Sequence, residues 1–441
     1  MILLTHPTGH ASVRHAALGL HRAGLLGEFW TGLNLPIPAW ANRWLPAGLS
    51  QDLQRRSFPE ELRRKIRSQP WREASRVLAG RLGLGTLTQP MNGACSLDAV
   101  SQALDRHVSR RLGESRFTGV YAFEHGAEVS FRTARELNQL AIYEQVSGHW
   151  KEWQRLFDEE SEAHPDWAAT LGPRPEAQAL TERSDKELGL AQVVIVPTTF
   201  IKRTLEQSAV MRARVAVIPH GIVPSTSLTT LGERTPLTES GQLRVLYVGA
   251  LSQRKGIRYL FDAVNSLGGA VELTVASRRP TVSCRALDQQ LKRCRHVAVH
   301  SPADVLRQMQ RHDVLVCPAL FDPISAEIPL ALSAGLPVIA TPHTSGPDHV
   351  TEGVEGFIVP IRSADAIAAR LATLREDPER LRSMSRAARA RAADTPWLRY
   401  EQTVATRVNE AMALAGHGTS ASFSPSVPTP QLPGVFPRER A

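Results

Sequence analysis

The sequence predicts an α/β protein built from two doubly wound parallel sheets, and three observations carry that prediction. At 441 residues the chain exceeds what one hydrophobic core usually organises and suits two domains of roughly 200 residues each. Short apolar runs of strand length alternate with amphipathic helical stretches, the pattern of parallel strands joined by crossover helices. Residues 223–242, rich in Ser, Thr, Pro and Gly, show no apolar period and read as a linker between the two halves.

In the first half, residues 2–5, 28–31, 119–123, 141–144 and 193–197 read as strands separated by long helices, which gives an N-terminal domain over 1–222. Residues 243–249 open the second domain as a buried strand. The helix expected over 255–267 carries Ile257, Leu260, Phe261, Val264 and Leu267 on one 3.6-residue stripe and ends at Gly268-Gly269. Residues 271–276, 296–299, 314–317, 338–341 and 356–359 repeat the strand signal, so this domain is expected over 243–395. A helix over 396–415 is expected to return to the first domain. Residues 416–441 are Ser/Pro-rich and expected to be disordered. Two such sheets facing one another place the loops at their carboxyl ends in a shared cleft, where open α/β sheets bind ligands.

Composition narrows the function classes. Hydrophobic residues at 42% and charged residues at 22% suit a globular protein. The apolar start, residues 1–6, is too short for a signal peptide and lacks a basic leader, so it reads as a buried strand. The longest weakly charged run, 324–342, contains Glu327 and three prolines, so no membrane span is expected. Cys95, Cys284, Cys294 and Cys317 are too sparse for a disulfide framework, suit a reducing cytosol, and form no CxxC knuckle for a metal. A formal charge of +9 attracts anions without choosing among phosphates, acidic lipids or nucleic acid. Arg55, Arg56, Arg63, Arg64, Lys65, Arg67 and Arg72 cluster around Phe58 and Trp71. Two readings stand: a solvated helix face, or a patch resting on an anionic membrane surface.

The motif with chemistry is Gly249-Ala-Leu-Ser-Gln-Arg-Lys-Gly256, set between a strand and a helix, where backbone amides and a helix N-terminus attract phosphate. Lys255 adds a point charge. Neither GxxxxGK[ST] nor GxGxxG is present, which lowers the case for an ATPase loop or a nicotinamide or flavin site. Together with Ala340-Thr-Pro-His-Thr-Ser-Gly-Pro-Asp348 and Glu352-Gly-Val-Glu-Gly-Phe-Ile-Val359, this motif resembles the family 4 glycosyltransferases of the GT-B fold. Thr5-His-Pro-Thr-Gly9, Tyr121-Ala-Phe-Glu-His-Gly126, Ile142-Tyr-Glu-Gln-Val-Ser-Gly-His-Trp150 and Val196-Pro-Thr-Thr-Phe-Ile-Lys202 resemble a bacterial branch of that family, so the likeness covers roughly residues 1 to 410.

The resemblance implies a retaining sugar transfer from a nucleotide diphosphate donor to a glycan or lipid-linked acceptor. It implies no metal and no cofactor, with positive side chains offsetting charge on the departing diphosphate. The implied donor site comprises Gly249, Ser252, Arg254, Lys255, Arg278, Ser325, Ala326, Glu327 and Leu330. Within it, Lys255 matches the phosphate-binding lysine, and Ala250 stands where the family has an arginine. Asp322, with Glu124 and His125, is the candidate catalytic set; Gly9, His10 and Glu144 are the candidate acceptor or cleft residues. The resemblance also implies a cytoplasmic protein in cell-surface glycan assembly, with peripheral contact at the inner membrane face left open and no nucleic-acid partner.

Departures from the family motif centre on Asp322-Pro-Ile-Ser-Ala-Glu-Ile-Pro-Leu330, where the family places two glutamates eight positions apart around a Gly-Phe-Gly turn. Asp322 is one methylene shorter than the first, about 1.5 Å. Leu330 replaces the second, and a lost hydrogen bond to a charged group costs about 1.5 to 3 kcal/mol. Pro323 removes an N–H and Ser325 replaces a glycine. Glu327, near the helix start, is the residue that can substitute. His6 and His149 are cleft candidates whose ordinary role is structural, and Trp150, Trp153 and Trp167 read more simply as core than as an acceptor groove. The alternative to an enzyme is a non-catalytic relative that binds nucleotide sugar or a partner. A nucleotide-sugar epimerase has no distinctive support in the sequence.

Overall fold

The computed structural model describes residues 1–35, 56–89, 93–172, 178–223, 241–278 and 282–416. The expected linker (223–242) and tail (416–441) fall almost wholly outside these residues, as does Arg55.

The first sheet has seven parallel strands in the order β3-β2-β1-β4-β5-β6-β7. They are β1 (Ile2–Thr5), β2 (Leu26–Thr31), β3 (Ile66–Ser68), β4 (Gly119–Phe123), β5 (Leu140–Glu144), β6 (Val193–Val196) and β7 (Arg214–Val217). The second has six in the order β10-β9-β8-β11-β12-β13. These are β8 (Leu243–Val248), β9 (Val271–Ser277), β10 (Arg295–Ala298), β11 (Val314–Cys317), β12 (Val338–Ala340) and β13 (Gly356–Ile358). Strands β1, β4, β5 and β8 are buried along their whole length, because helices cover both faces of a parallel sheet. Arg244 interrupts the apolar run of β8 and is tolerated because Asp313 accepts from its backbone N–H, Nε and Nη2 at 2.9, 2.9 and 2.7 Å.

Strand order reverses between β1 and β4 and between β8 and β11, which gives each sheet one switch point. Three elements correct the expectations. Strands β3 and β7 extend the first sheet; β3 lies inside the basic run, so that run is not one helix face. It is a short 3-10 turn (Glu60–Leu62), then β3, then the helix Pro70–Arg81. In the second domain the helix begins at Ile257, not Lys255. Gly256 adopts φ 68 after the 3-10 turn Gln253–Lys255, which breaks the helical path.

The helix Trp397–Leu414 packs on the helix Ala11–Arg22, adding Tyr400, Val404, Val408 and Met412 to the first domain's core. The two backbones touch where a side chain at Gly19 would meet the Glu401 carbonyl at 2.3 Å. Glu401 also accepts from His15 at 2.6 Å and pairs with Arg22.

Candidate functional site

A cleft of about 1310 Å3 lies between the two sheets. The second domain supplies Gly249, Ala250, Leu251 and Ser252 from the turn after β8, and Ser277 and Arg278 after β9. It also supplies Val299 to Pro302 after β10, and Ala326, Glu327 and Leu330 at the helix Glu327–Ser333. The first domain contributes Arg14, Trp153 and residues 169–172. Of the expected donor residues, Gly249, Ser252, Arg254, Arg278, Ala326, Glu327 and Leu330 therefore share one wall.

The turn is held rigidly. Leu320 and Phe321 donate their backbone N–H groups to the Arg254 carbonyl at 3.0 and 3.1 Å, and Arg254 Nη1 donates to the Phe321 carbonyl at 2.8 Å. Ser252 caps the 3-10 turn through Arg254 N–H at 3.1 Å.

Lys255 sits beneath this wall. Its Nζ donates to Asp322 and, at 2.9 Å, to Glu327; the three side chains are 12%, 13% and 11% exposed. Burial opposes the charged ammonium, but the carboxylates of Glu327 and Asp322 outweigh it and hold the Lys255 pKa above its ordinary value. Burial pushes the Glu327 carboxyl up, Lys255 pulls it down, and neighbouring Asp322 adds to the rise. Asp322 also accepts from Ser325 Oγ at 2.7 Å. Ser325 occupies the left-handed region at φ 41, a conformation natural to glycine, held here by that hydrogen bond and a second to the Asp322 carbonyl. Lys255, Asp322 and Ser325 thus form the floor, and Glu327 is their member that reaches the cleft.

The first-half candidates separate. Glu144, expected at the cleft, is instead buried in the first domain, where it accepts from Tyr121 at 2.5 Å and from Tyr400 at 3.0 Å. Glu124 accepts from the N–H groups of Val146 and Ser147 and from the Ser147 hydroxyl, which ties two loops together; burial raises its pKa. His125 has φ 66 and donates its N–H to buried Glu187 at 2.9 Å. Gly9 and His10 lie in the β1 loop; neither lines the main cleft. His10 meets His6 at 3.1 Å between ring nitrogens, and desolvation lowers both pKa values. His149 is buried and sits 3.1 Å from Asp185. Trp150 donates to Asp185 at 3.2 Å and Trp167 is core, whereas Trp153 packs on Phe321 with centroids 5.4 Å apart and lines the cleft.

Sequence reasoning missed the polar joint that closes the cleft. Glu160 is 1% exposed and accepts from Gln253 Nε2 at 2.8 Å, Tyr259 at 3.0 Å and Arg362 at 2.5 Å. Its signal was present, since Glu160 falls on the buried stripe of Trp153 and Leu156, where an isolated acid needs partners. Across the same gap, Asp348 accepts from Thr199 N–H at 3.0 Å and from its hydroxyl at 2.5 Å, and burial pushes its pKa to about 6.

All four cysteines are free, and among the described residues no group of three or more His, Cys, Asp or Glu is arranged to hold a metal. No helix of the described residues is long and apolar enough to cross a membrane. Phe58 packs edge-on against Phe29 and Arg56 pairs with buried Glu73 at 2.9 Å, so both turn away from the basic surface.

Residues 242–377 match the family described as Glycosyl transferases group 1. The amylovoran biosynthesis glycosyltransferase AmsK of Erwinia amylovora is 26% identical over 162 residues, 34% of this chain and 40% of its own length. The chain spans only about half of the curated relatives it matches, or less. Among solved structures, sucrose-phosphate synthase from Thermosynechococcus elongatus superposes with TM-score 0.60 at 15% identity, covering 94% of this chain and 99% of that one. Anabaena HepE in complex with UDP-glucose superposes with TM-score 0.54 at 15% identity over 93% and 99%. These likenesses show the fold: two Rossmann-like domains in the GT-B arrangement.

Proposed function

We propose that this chain, whose residues 242–377 form a glycosyltransferase group 1 domain, moves a sugar from a nucleotide diphosphate donor to a saccharide or lipid-linked acceptor in cell-surface glycan assembly. The observation that carries the proposal is the wall of Gly249, Ser252, Arg254 and Arg278 at the carboxyl ends of β8 and β9, beside the switch point of the second sheet, with Lys255 behind it. Glycine brings backbone close to a phosphate, and three cations offset the charge that grows on a departing diphosphate. HepE, of the same fold, was solved with UDP and UDP-glucose, which favours a uridine donor. Family 4 membership, retention at the anomeric carbon and metal independence belong to this proposal, with Asp322 oriented by Ser325 and Lys255 under the donor sugar.

One observation favours a non-catalytic reading: Leu330 presents an alkyl chain to the cleft where the family has a carboxylate. Thermal shift and turnover with UDP, GDP and their sugars separate the two. One nucleotide class is expected to stabilise the protein. Leu330→Glu is expected to tighten that donor about tenfold, the value of one regained charged hydrogen bond, and Asp322→Glu combined with it to raise the rate. Silence from wild type and both variants toward every nucleotide would sink the donor reading; binding without turnover leaves the non-catalytic relative.

A cytoplasmic protein touching the inner membrane face is part of the same proposal. On and after the helix Pro70–Arg81, Trp71 is 85% exposed, Leu78 58%, Leu82 64% and Leu84 44%, beside exposed Arg63, Arg64, Arg67 and Arg72. An apolar face bordered by arginines suits an anionic bilayer. Flotation with phosphatidylglycerol vesicles is expected to carry the protein, and Trp71→Ser with Leu78→Ser to lose most of that binding. Equal flotation of the variant would remove this surface from the account.

A further inference from the structure

Glu327 heads a helix, lines the cleft, and covers an ammonium that does not line it. Resting on the donor reading above, we propose that Glu327 is a positioning residue that occupies Lys255 while the site is empty, and that a nucleotide diphosphate displaces it as Glu327 takes up one proton from solvent. The bound diphosphate then holds Lys255, and the protonated carboxyl is a hydrogen-bond donor facing the same phosphate.

The argument is one of charge at close range. Lys255 contributes one positive charge, while Asp322 and Glu327 contribute two negative ones within hydrogen-bond distance of it. The empty floor therefore carries a net negative charge, and the diphosphate of a nucleotide sugar brings two more. Like charges this close disfavour one another's ionised forms. Protonation of one of the two carboxylates relieves that repulsion.

Every neighbour that faces Glu327 identifies it as the one protonated. Tyr247 on β8 and Cys317 on β11 are already protonated, because burial raises both well above their ordinary values. Arg254 is engaged with the Phe321 carbonyl, and Asp322 keeps a hydrogen bond from Ser325. Glu327 has Lys255 as its side-chain partner, and burial with Asp322 beside it has already eased its protonation. The residue lies five positions after Asp322, within the motif where this chain departs from its family.

Titration calorimetry of UDP-glucose into the full chain, in buffers of unequal ionisation enthalpy from pH 6 to 9, tests this. The phosphates of UDP-glucose are diesterified and do not titrate there, so any proton taken up belongs to the protein. Because the Glu327 pKa is higher in the complex than in the free protein, affinity is expected to fall as pH rises between those two values, by up to tenfold per pH unit. Uptake of between half a proton and one proton per donor is expected. Glu327→Gln is expected to abolish that uptake, flatten the pH profile and bind about tenfold tighter than wild type at pH 8.5, with an unchanged circular dichroism spectrum. Wild-type binding without proton uptake, or uptake that survives in Glu327→Gln, overturns the inference and leaves the donor reading intact. If neither protein binds UDP-glucose or GDP-mannose, the donor reading fails and this inference with it.

Discussion

Replacing Lys255 with methionine is expected to abolish nucleotide-sugar binding and to destabilise the second domain by about 3 kcal/mol at pH 8, the low end for removing one partner of a buried ion pair. The substitution keeps an unbranched apolar stem, one atom shorter than lysine, while deleting the charge. Two carboxylates, Asp322 and Glu327, are then left facing each other with only 13% and 11% exposure. The pH dependence follows from the same geometry. Without the ammonium, one of these carboxyls has a folded-state pKa raised above its unfolded value, so the variant loses stability as pH rises through that window. Urea unfolding should therefore show a smaller deficit against wild type at pH 5 than at pH 8. A variant that binds UDP-glucose as wild type does would remove Lys255 from the donor site.

Gly256→Ala is expected to cost about 4 kcal/mol, among the larger effects of single substitutions. Gly256 closes the 3-10 turn at φ 68, where a left-handed alanine costs about 1 to 2 kcal/mol by itself. A Cβ there would also lie 1.9 Å from the Pro318 carbonyl oxygen, a backbone atom at the end of β11 that has no flexible side chain to move aside. Either the turn carrying Lys255 or the loop carrying Asp322 must shift, so the variant should lose donor binding together with stability. Gly269→Ala is the control, since nothing lies within 4 Å of its Cβ, and it should fall within about 0.5 kcal/mol of wild type. Equal urea midpoints for the two variants would show that the close approach at Gly256 is not a constraint.

Much of the fold was legible because parallel strands buried on both faces must be short apolar runs. The stretches at 2–5, 119–123 and 314–317 coincide with β1, β4 and β11 residue for residue. Strand β3 was not legible, for it carries Ile66, Arg67 and Ser68 and is an edge strand with one buried side chain. Strand β7 was missed for a related reason, since the opposite edge leaves Arg214–Val217 half-buried and without a continuous core face. The turn after β8 could be read from Gly249 and Gly256 because glycine marks backbone that other residues adopt at a cost. Glu144 could not be read correctly. An acid at a strand end looks like a cleft residue until Tyr121 and Tyr400, the latter 256 positions away, are found donating to it.

The amino-acid order by itself determined two parallel sheets, the turn between β8 and its helix, and the acidic, proline-bearing segment from Asp322 to Leu330. These are local properties, fixed by apolar period, glycine position and side-chain type. Only the tertiary structure decided which charges meet. It set Lys255 between Asp322 and Glu327, turned Glu144 inward, and made Glu160 the joint between domains, because partners remote in sequence come within hydrogen-bond range only once both sheets have packed.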